Sequence, residues 1–164
     1  MDWIIFALLS VFAFSLASIF RRVVMKDDRS DAMASAIVFQ LLEAVIIGVV
    51  AFWRGFILPP FPQYLMNYFF VGIFWSVATF FQFKAYQYLE ASEAIIISTL
   101  ETVIIIIAAN LFLKEIFTLQ MAIGTLFILI GVVTISKTKN KIFFNRGIFY
   151  SLGFCLFGGL GAVN

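Results

Sequence analysis

The chain has 164 residues, of which 63% are hydrophobic and only 12% are charged, with a net charge of +2. Soluble domains carry about 25% charged residues, so this composition and a mean hydropathy of +1.08 indicate an integral membrane protein. The chain has no histidine, which excludes histidine catalysis and imidazole ligation of a metal. Its one cysteine, Cys155, excludes an internal disulfide and a thiolate metal cluster.

Six apolar segments are long enough to cross a bilayer, because about 20 residues at a rise of about 1.5 Å span a hydrocarbon core of about 30 Å. Lipid satisfies no backbone hydrogen bonds, so only helices and closed barrels can cross it. The predicted fold class is therefore all-α, a polytopic transmembrane helical bundle without β-structure. The predicted helices cover residues 3–24, 32–54, 64–88, 92–113, 117–136 and 147–163.

Polar residues inside the second and third segments predict a surface that faces away from lipid. Glu43 lies near the middle of the second helix, with Gln40 about one turn earlier on the same side. A polar and aromatic stripe at helical spacing follows the third helix. The stripe consists of Trp75, Thr79, Gln82 and Tyr86. We expect these side chains to face other helices or a cavity.

The fourth and fifth segments predict an antiparallel transmembrane hairpin. Residues 94–113 contain a single charge, Glu101, and a break of four residues precedes the uncharged stretch 118–136. Ser92 is the predicted N-cap of the fourth helix, and Ser98 lies on the same face as Glu101. Gly124 and Gly131 share one face of the fifth helix, where we expect them to set its distance from a neighbour.

This hairpin resembles the EamA repeat of the drug/metabolite transporter superfamily. The resemblance rests on Ala-Ser-Glu-Ala at 91–94, Leu-Glu at 100–101, Leu-Lys-Glu at 113–115, and Gln120 with the two glycines. The family usually has Leu-Glu-Pro at mid-span and Leu-Gly-Glu plus a basic residue at the turn. This chain has Thr102, Lys114 and Ile116 at the differing positions, and Glu115 is expected to balance the turn.

The last apolar segment restarts the pattern of the first one. Ile148, Leu152 and Leu160 repeat the spacing of Ile4, Leu8 and Leu16 after a basic loop. We therefore expect a five-helix EamA repeat at 1–139, and at 140–164 a basic loop and the first helix of an incomplete second repeat. A repeat with an odd number of helices inverts the next one. The chain is thus expected to be a fragment, or a truncated gene product, of a ten-helix protein.

A sixth helix without the rest of its repeat would lack packing partners. We expect it to be loosely fixed and to expose Gly158, Gly159 and Gly161, or to dimerise through Gly158 and Ala162.

Charge predicts an orientation in the membrane. Nine of the eleven Lys and Arg residues lie in the first, third and fifth connections, which the positive-inside rule places in the cytoplasm. The N-terminus would then be outside. The family resemblance implies the opposite orientation, and we keep the charge-based one.

Three classes of function follow from these patterns. A carboxylate at the bilayer centre costs about 2.5–3.5 kcal/mol, so Glu43 and Glu101 are predicted either to line a transport cavity or to hold helices together by hydrogen bonds. The resemblance implies a secondary transporter of a small metabolite or amphipathic compound, working by proton coupling or by exchange. The alternative is a non-transporting assembly protein or a non-functional half-transporter. An enzyme is not expected, because no catalytic constellation is found.

The residues expected at the substrate cavity are Glu101, Ser98, Glu43, Gln40, Gln82, Thr79, Trp75 and Tyr86. The expected partners are an unidentified small molecule, the lipid bilayer and either a second copy of the chain or a missing second half. No cofactor, metal or nucleic acid is expected. The expected location is the plasma or inner membrane of a prokaryote, with several spans.

Overall fold

The computed structural model describes residues 2–27, 29–55, 61–114, 116–137 and 146–163, and every regular element in these ranges is an α-helix. This confirms the predicted all-α fold. The helices are α1 (Asp2–Met25), α2 (Ala32–Trp53), α3 (Phe61–Tyr88), α4 (Ala91–Ser98), α5 (Leu100–Leu113), α6 (Leu119–Lys137) and α7 (Arg146–Val163).

Within the described ranges, five helical stretches are long and apolar enough to cross a membrane. They are Trp3–Met25, Ala32–Trp53, Tyr64–Tyr88, Ala91–Leu113 and Arg146–Val163. In α6 the apolar part, Leu119–Thr134, is shorter than the other five. Most large apolar side chains on the outside of the bundle are exposed, as expected where the neighbouring solvent is lipid.

Local chemistry explains where α2 and α3 begin. The Met33 N–H donates to Asp31 Oδ1 over 2.8 Å, which makes Asp31 the N-cap of α2. The third helix begins at Phe61, three residues before the predicted start. Pro62 therefore lies in its first turn, where the missing N–H costs nothing because that group has no partner inside the helix.

The start of α4 corrects one prediction. Glu90, not Ser92, is the N-cap, and the Glu90 N–H donates to Glu93 Oε2 over 3.3 Å. A carboxylate at this third helical position closes a capping box. It also lies at the positive end of the helix dipole.

The predicted fourth helix is two helices, because Thr99 interrupts it between α4 and α5. The second of these helices ends at Lys114, whose φ of 55° is left-handed and whose N–H donates to Ala109 O. The connection to α6 spans residues 114–118, one more than expected. Glu115 lies outside the described residues, as do residues 56–60 and 138–145.

The centre of the bundle is formed by α7, which packs most extensively on α3 and also on α5 and α4. Its glycines allow this close approach. A Cβ at Gly147 would lie 2.6 Å from Leu89 Cγ, and one at Gly153 would lie 2.8 Å from Phe81 Cδ1. These distances are shorter than two carbon atoms can approach.

The expectation of a loosely fixed last helix is therefore wrong. Gly158 and Gly159 are buried, so Gly158 is not free for a dimer contact, whereas Ala162 is exposed. The prediction considered only the missing helices of a second repeat and overlooked the space between α3 and α5. In contrast, Gly124 and Gly131 are exposed and have no described atom within 4 Å of an added Cβ.

Candidate functional site

The break between α4 and α5 places a tightened turn in the middle of a membrane-spanning segment, where Thr99 has a φ of −63° and a ψ of −16°. The Ser98 hydroxyl donates to Ile95 O and the Thr99 hydroxyl to Ile96 O, both over 2.6 Å. The Thr102 N–H donates to Thr99 O over 3.1 Å, three residues back rather than four. Side-chain hydroxyls that bond to preceding carbonyls are a known cause of such interruptions.

The break lies next to position 102, where the family usually has a proline, and a proline there would also interrupt the helix. A proline at position 102 would remove the N–H that bonds four residues back and would clash with Ser98 O. Thr102 retains its N–H, yet the bond to Ser98 is still replaced by one to Thr99. The sequence departs from the family pattern here, but the backbone is interrupted nevertheless.

The carbonyl groups of Ile97 and Ser98, at the break, face α7. The Cys155 thiol, which is fully buried, lies 3.5 Å from Ile97 O and 3.7 Å from Ser98 O. A thiol is a weak donor, so this contact satisfies the interrupted carbonyls only partly. Cys155 thus joins α7 to the break.

Glu101 lies in the first turn of α5, directly after the break. Its carboxylate contacts Gly158 of α7 so closely that a methyl group there would overlap Oε1. The side chain is half-buried, and no ion pair involving it is found among the described residues. The N-terminal end of a helix favours a negative charge, and this is the local feature that stabilises the carboxylate.

A small polar cavity lies one turn away, between α3, α4 and α7. Its polar lining comes from Gln82, Tyr86, Ser98 and Ser151. The Ser151 hydroxyl is buried and has no hydrogen-bond partner among the described residues. The cavity volume is about 10 Å³, which holds about one water molecule and is too small for a metabolite.

The polar and aromatic stripe on α3 forms hydrogen bonds with α1 and α2. The Gln40 amide of α2 donates to Thr79 Oγ1 over 3.2 Å, and the Thr79 hydroxyl donates to Trp75 O over 2.9 Å. The Trp75 side chain itself is exposed, so this residue contributes its carbonyl and not its ring. On the other side, Arg21 of α1 donates to Gln82 Oε1 over 2.8 Å.

The candidate residues therefore form two groups. Ser98 and Glu101 face α7, whereas Gln40 and Thr79 lie between α2 and α3. Gln82 and Tyr86 line the small cavity together with Ser98 of the first group. Glu43 is half-buried and interacts electrostatically with Arg21, and no described contact joins it to Glu101.

Sequence reasoning missed three residues at these sites. Arg21 was counted only as a basic residue of the first connection, although the predicted helix 3–24 includes it and α1 continues through it to Met25. Ser151 and Cys155 were treated only as parts of an apolar helix. Two arginines directly after 18 uncharged residues could have indicated a structural role for Arg21. Long basic side chains at helix ends lay their apolar stems along neighbouring apolar surface. No group of metal-ligating side chains is present in the described ranges.

The fold defines a multi-pass helical membrane protein, with an interrupted span and an acidic residue next to the interruption. The model of the EamA-like transporter family matches residues 1–137. The chain belongs to this family, whose members are transporters rather than enzymes, and is a membrane transporter-like protein. Neither a curated protein nor a solved structure matches it significantly.

Proposed function

We propose that this protein is a secondary transporter that moves a small metabolite or an amphipathic compound across the membrane. The observation that carries the proposal is Glu101, a carboxylate without an ion-pair partner in the described residues, beside a break in a membrane-spanning segment. Transporter sites commonly form where broken helices expose backbone groups and helix ends near the midplane.

The two helix ends at the break provide complementary binding chemistry. The N-terminal turn of α5 offers the positive end of a helix dipole, and the carbonyls of Ile97 and Ser98 at the end of α4 are acceptors. Together with the Glu101 carboxylate, these acceptors favour a substrate with a cationic or hydrogen-bond-donating group. A proton or an exchanged solute could bind the same carboxylate and compete with the substrate.

The described conformation is closed around this site. Gly158 covers Glu101, and the neighbouring cavity has room for about one water molecule. Transport therefore requires a movement of α7 away from α4 and α5. Such a movement of one bundle element against another is the usual form of alternating access. We propose the plasma or inner membrane of a prokaryote as the location of the protein.

The experiment compares the parent chain with Glu101→Gln, which preserves shape and hydrogen bonding while removing the charge. Both are produced in a bacterial host at equal membrane abundance, and the small molecules inside and outside the cells are quantified by mass spectrometry. We expect compounds whose distribution depends on the parent protein. We also expect Glu101→Gln to insert normally and to lose most of this effect.

Glu93→Gln is the matched control, because glutamine also serves as the third residue of a capping box. It should leave the distribution unchanged. An equal distribution with the parent and with Glu101→Gln would reduce Glu101 to a structural residue. No difference between the parent and an empty vector would contradict transport and favour an assembly role.

A further inference from the structure

A groove between α1 and α2 combines apolar walls with a cation, Arg21. The two helices pack side by side on α3 and leave a volume of about 520 Å³ between them. Phe20 and Val24 of α1 form one wall, and Val38 and Leu42 of α2 form the other. Phe83 of α3 lies at the base of the groove, beside Arg21.

Arg21 is held in place but keeps unused hydrogen-bond donors. Its guanidinium lies 4.3 Å from the centre of the Phe39 ring and 6.0 Å from that of Phe83, and it donates once, to Gln82. Its Nε is buried, and no described atom accepts a hydrogen bond from it. Glu43 interacts with Arg21 electrostatically, but no ion pair involving Arg21 is found among the described residues.

The groove lies at the basic end of the bundle. Arg22 at the end of α1 pairs with Glu90 over 3.1 Å, and Gln87 donates to Ser30 O over 2.8 Å. The connection between α1 and α2, which contains Lys26 and Arg29, therefore meets the connection between α3 and α4 at this end. Anionic lipids are concentrated in the cytoplasmic leaflet, where basic pockets between helices bind their head groups.

We propose that this groove binds one anionic phospholipid of the bilayer, with the phosphate at Arg21 and an acyl chain between α1 and α2. The lining residues extend from Ala17 to Val24 of α1 and from Ala34 to Leu42 of α2, or about 10–12 Å at about 1.5 Å per residue, which accommodates a large part of one acyl chain. A planar guanidinium with free N–H groups suits a phosphate oxygen. An apolar groove without a cation would not discriminate between lipid head groups.

The test titrates the full chain in detergent with phosphatidylglycerol or phosphatidylcholine of identical acyl chains, and native mass spectrometry counts the lipids retained. We expect one phosphatidylglycerol to be retained under conditions that remove phosphatidylcholine. Arg21→Gln should weaken its binding roughly fivefold, which corresponds to about 1 kcal/mol. Arg29→Gln removes a basic residue in the exposed loop at the same end and should change nothing.

Val38→Trp is the second variant, since it fills the groove from an exposed position and leaves Arg21 intact. It should lose the lipid as well, and it decides the matter if Arg21→Gln does not fold. Equal retention of the two lipids, or unchanged phosphatidylglycerol binding in Val38→Trp, would overturn the proposal. A dimer that Val38→Trp dissociates, without a retained lipid, would show that a second copy occupies the groove.

Discussion

At the scale of single residues, Lys114 explains a feature of the family pattern. The family usually has glycine at this point of the turn, and Lys114 has a φ of 55°. Left-handed backbone crowds any Cβ, whereas glycine adopts it freely. The Lys114 N–H donates to Ala109 O and closes the last turn of α5, and the left-handed residue then directs the chain away from the helix axis. The departure from the pattern therefore retains the turn at a cost in strain.

Lys114→Gly should raise the free energy of unfolding by about 0.5–1 kcal/mol, because it removes this strain. Denaturant unfolding of the purified protein in detergent, followed by circular dichroism, measures the change. Lys114→Ala is the control, since it retains Cβ and should leave the stability nearly unchanged. Equal stability of the glycine and alanine variants would contradict the strain argument.

Gly158 is the second residue with a testable role. Gly158→Ala places a methyl group against Glu101 Oε1, and the carboxylate can yield because it ends a flexible side chain. The variant should therefore fold and insert, but should displace Glu101 and lower flux of the transported compound roughly tenfold or more. The flux into cells producing equal amounts of protein measures this effect.

Gly124→Ala is the matched control, because no described atom lies within 4 Å of its added Cβ. It should transport as the parent does. Full flux in Gly158→Ala would show that the position of the Glu101 carboxylate does not limit transport.

At the scale of elements, α7 connects the parts of the molecule that the candidate site requires. Small residues along one side of α7 allow it to approach α3 and α5: the added Cβ of Gly159 would lie 2.7 Å from Ile104 Cγ2. Aromatic rings fill the remaining space, as in the stack of Phe81 on Phe157 with centres 5.6 Å apart. Movement of α7 would therefore uncover Glu101 and Cys155 together.

Cys155 reports on this packing. We expect it to resist N-ethylmaleimide in folded protein in detergent, because it is fully buried and reacts only after local opening. It should react after unfolding in dodecyl sulfate. Mass spectrometry of the labelled protein measures both rates.

Arg29→Cys in a Cys155→Ser background controls for reagent access, because position 29 is exposed. Gly159→Leu should accelerate labelling of Cys155 by forcing α7 away from Ile104. Rapid labelling of Cys155 in the folded parent chain would contradict the tight packing of α7.

At the scale of the whole molecule, basic residues are concentrated at one end of the bundle. The ends of α1 and α3 and the beginnings of α2, α4 and α7 meet there, as the contact of Gly147 with Leu89 and the Arg22–Glu90 pair demonstrate. Arg54 lies after α2, at the opposite end. This segregation is the structural basis of the predicted orientation.

A matched pair of single-cysteine chains tests that orientation. In a Cys155→Ser background, a membrane-impermeant maleimide on intact cells should label Arg54→Cys but should label Arg29→Cys only after the membrane is opened. Each substitution removes one basic residue, so the charge change is the same. The reverse pattern would favour the orientation implied by the family resemblance over the charge-based one.

Hydropathy and spacing in the sequence were sufficient to predict most helices, since they report which stretches can cross lipid. They also made Glu101 a candidate site residue, because an acidic residue in a span is costly wherever the helix packs, and its role stays a prediction. The motif around the hairpin indicated the family. These properties are local, so no knowledge of neighbouring helices was needed.

The arrangement of the helices depended on the tertiary structure. Lipid is as apolar as leucine, so hydropathy does not distinguish a side of a helix that contacts lipid from one that contacts another helix. Shape decides instead: Gly158 and Gly159 admit close neighbours on α5, whereas no atom of the described ranges lies within 4 Å of a Cβ added at Gly124 or Gly131. Three features result from packing: the position of α7, the hydrogen bond of Arg21 to Gln82 and the left-handed backbone of Lys114. The first two join residues that are distant in sequence, and no local sequence pattern predicts any of the three.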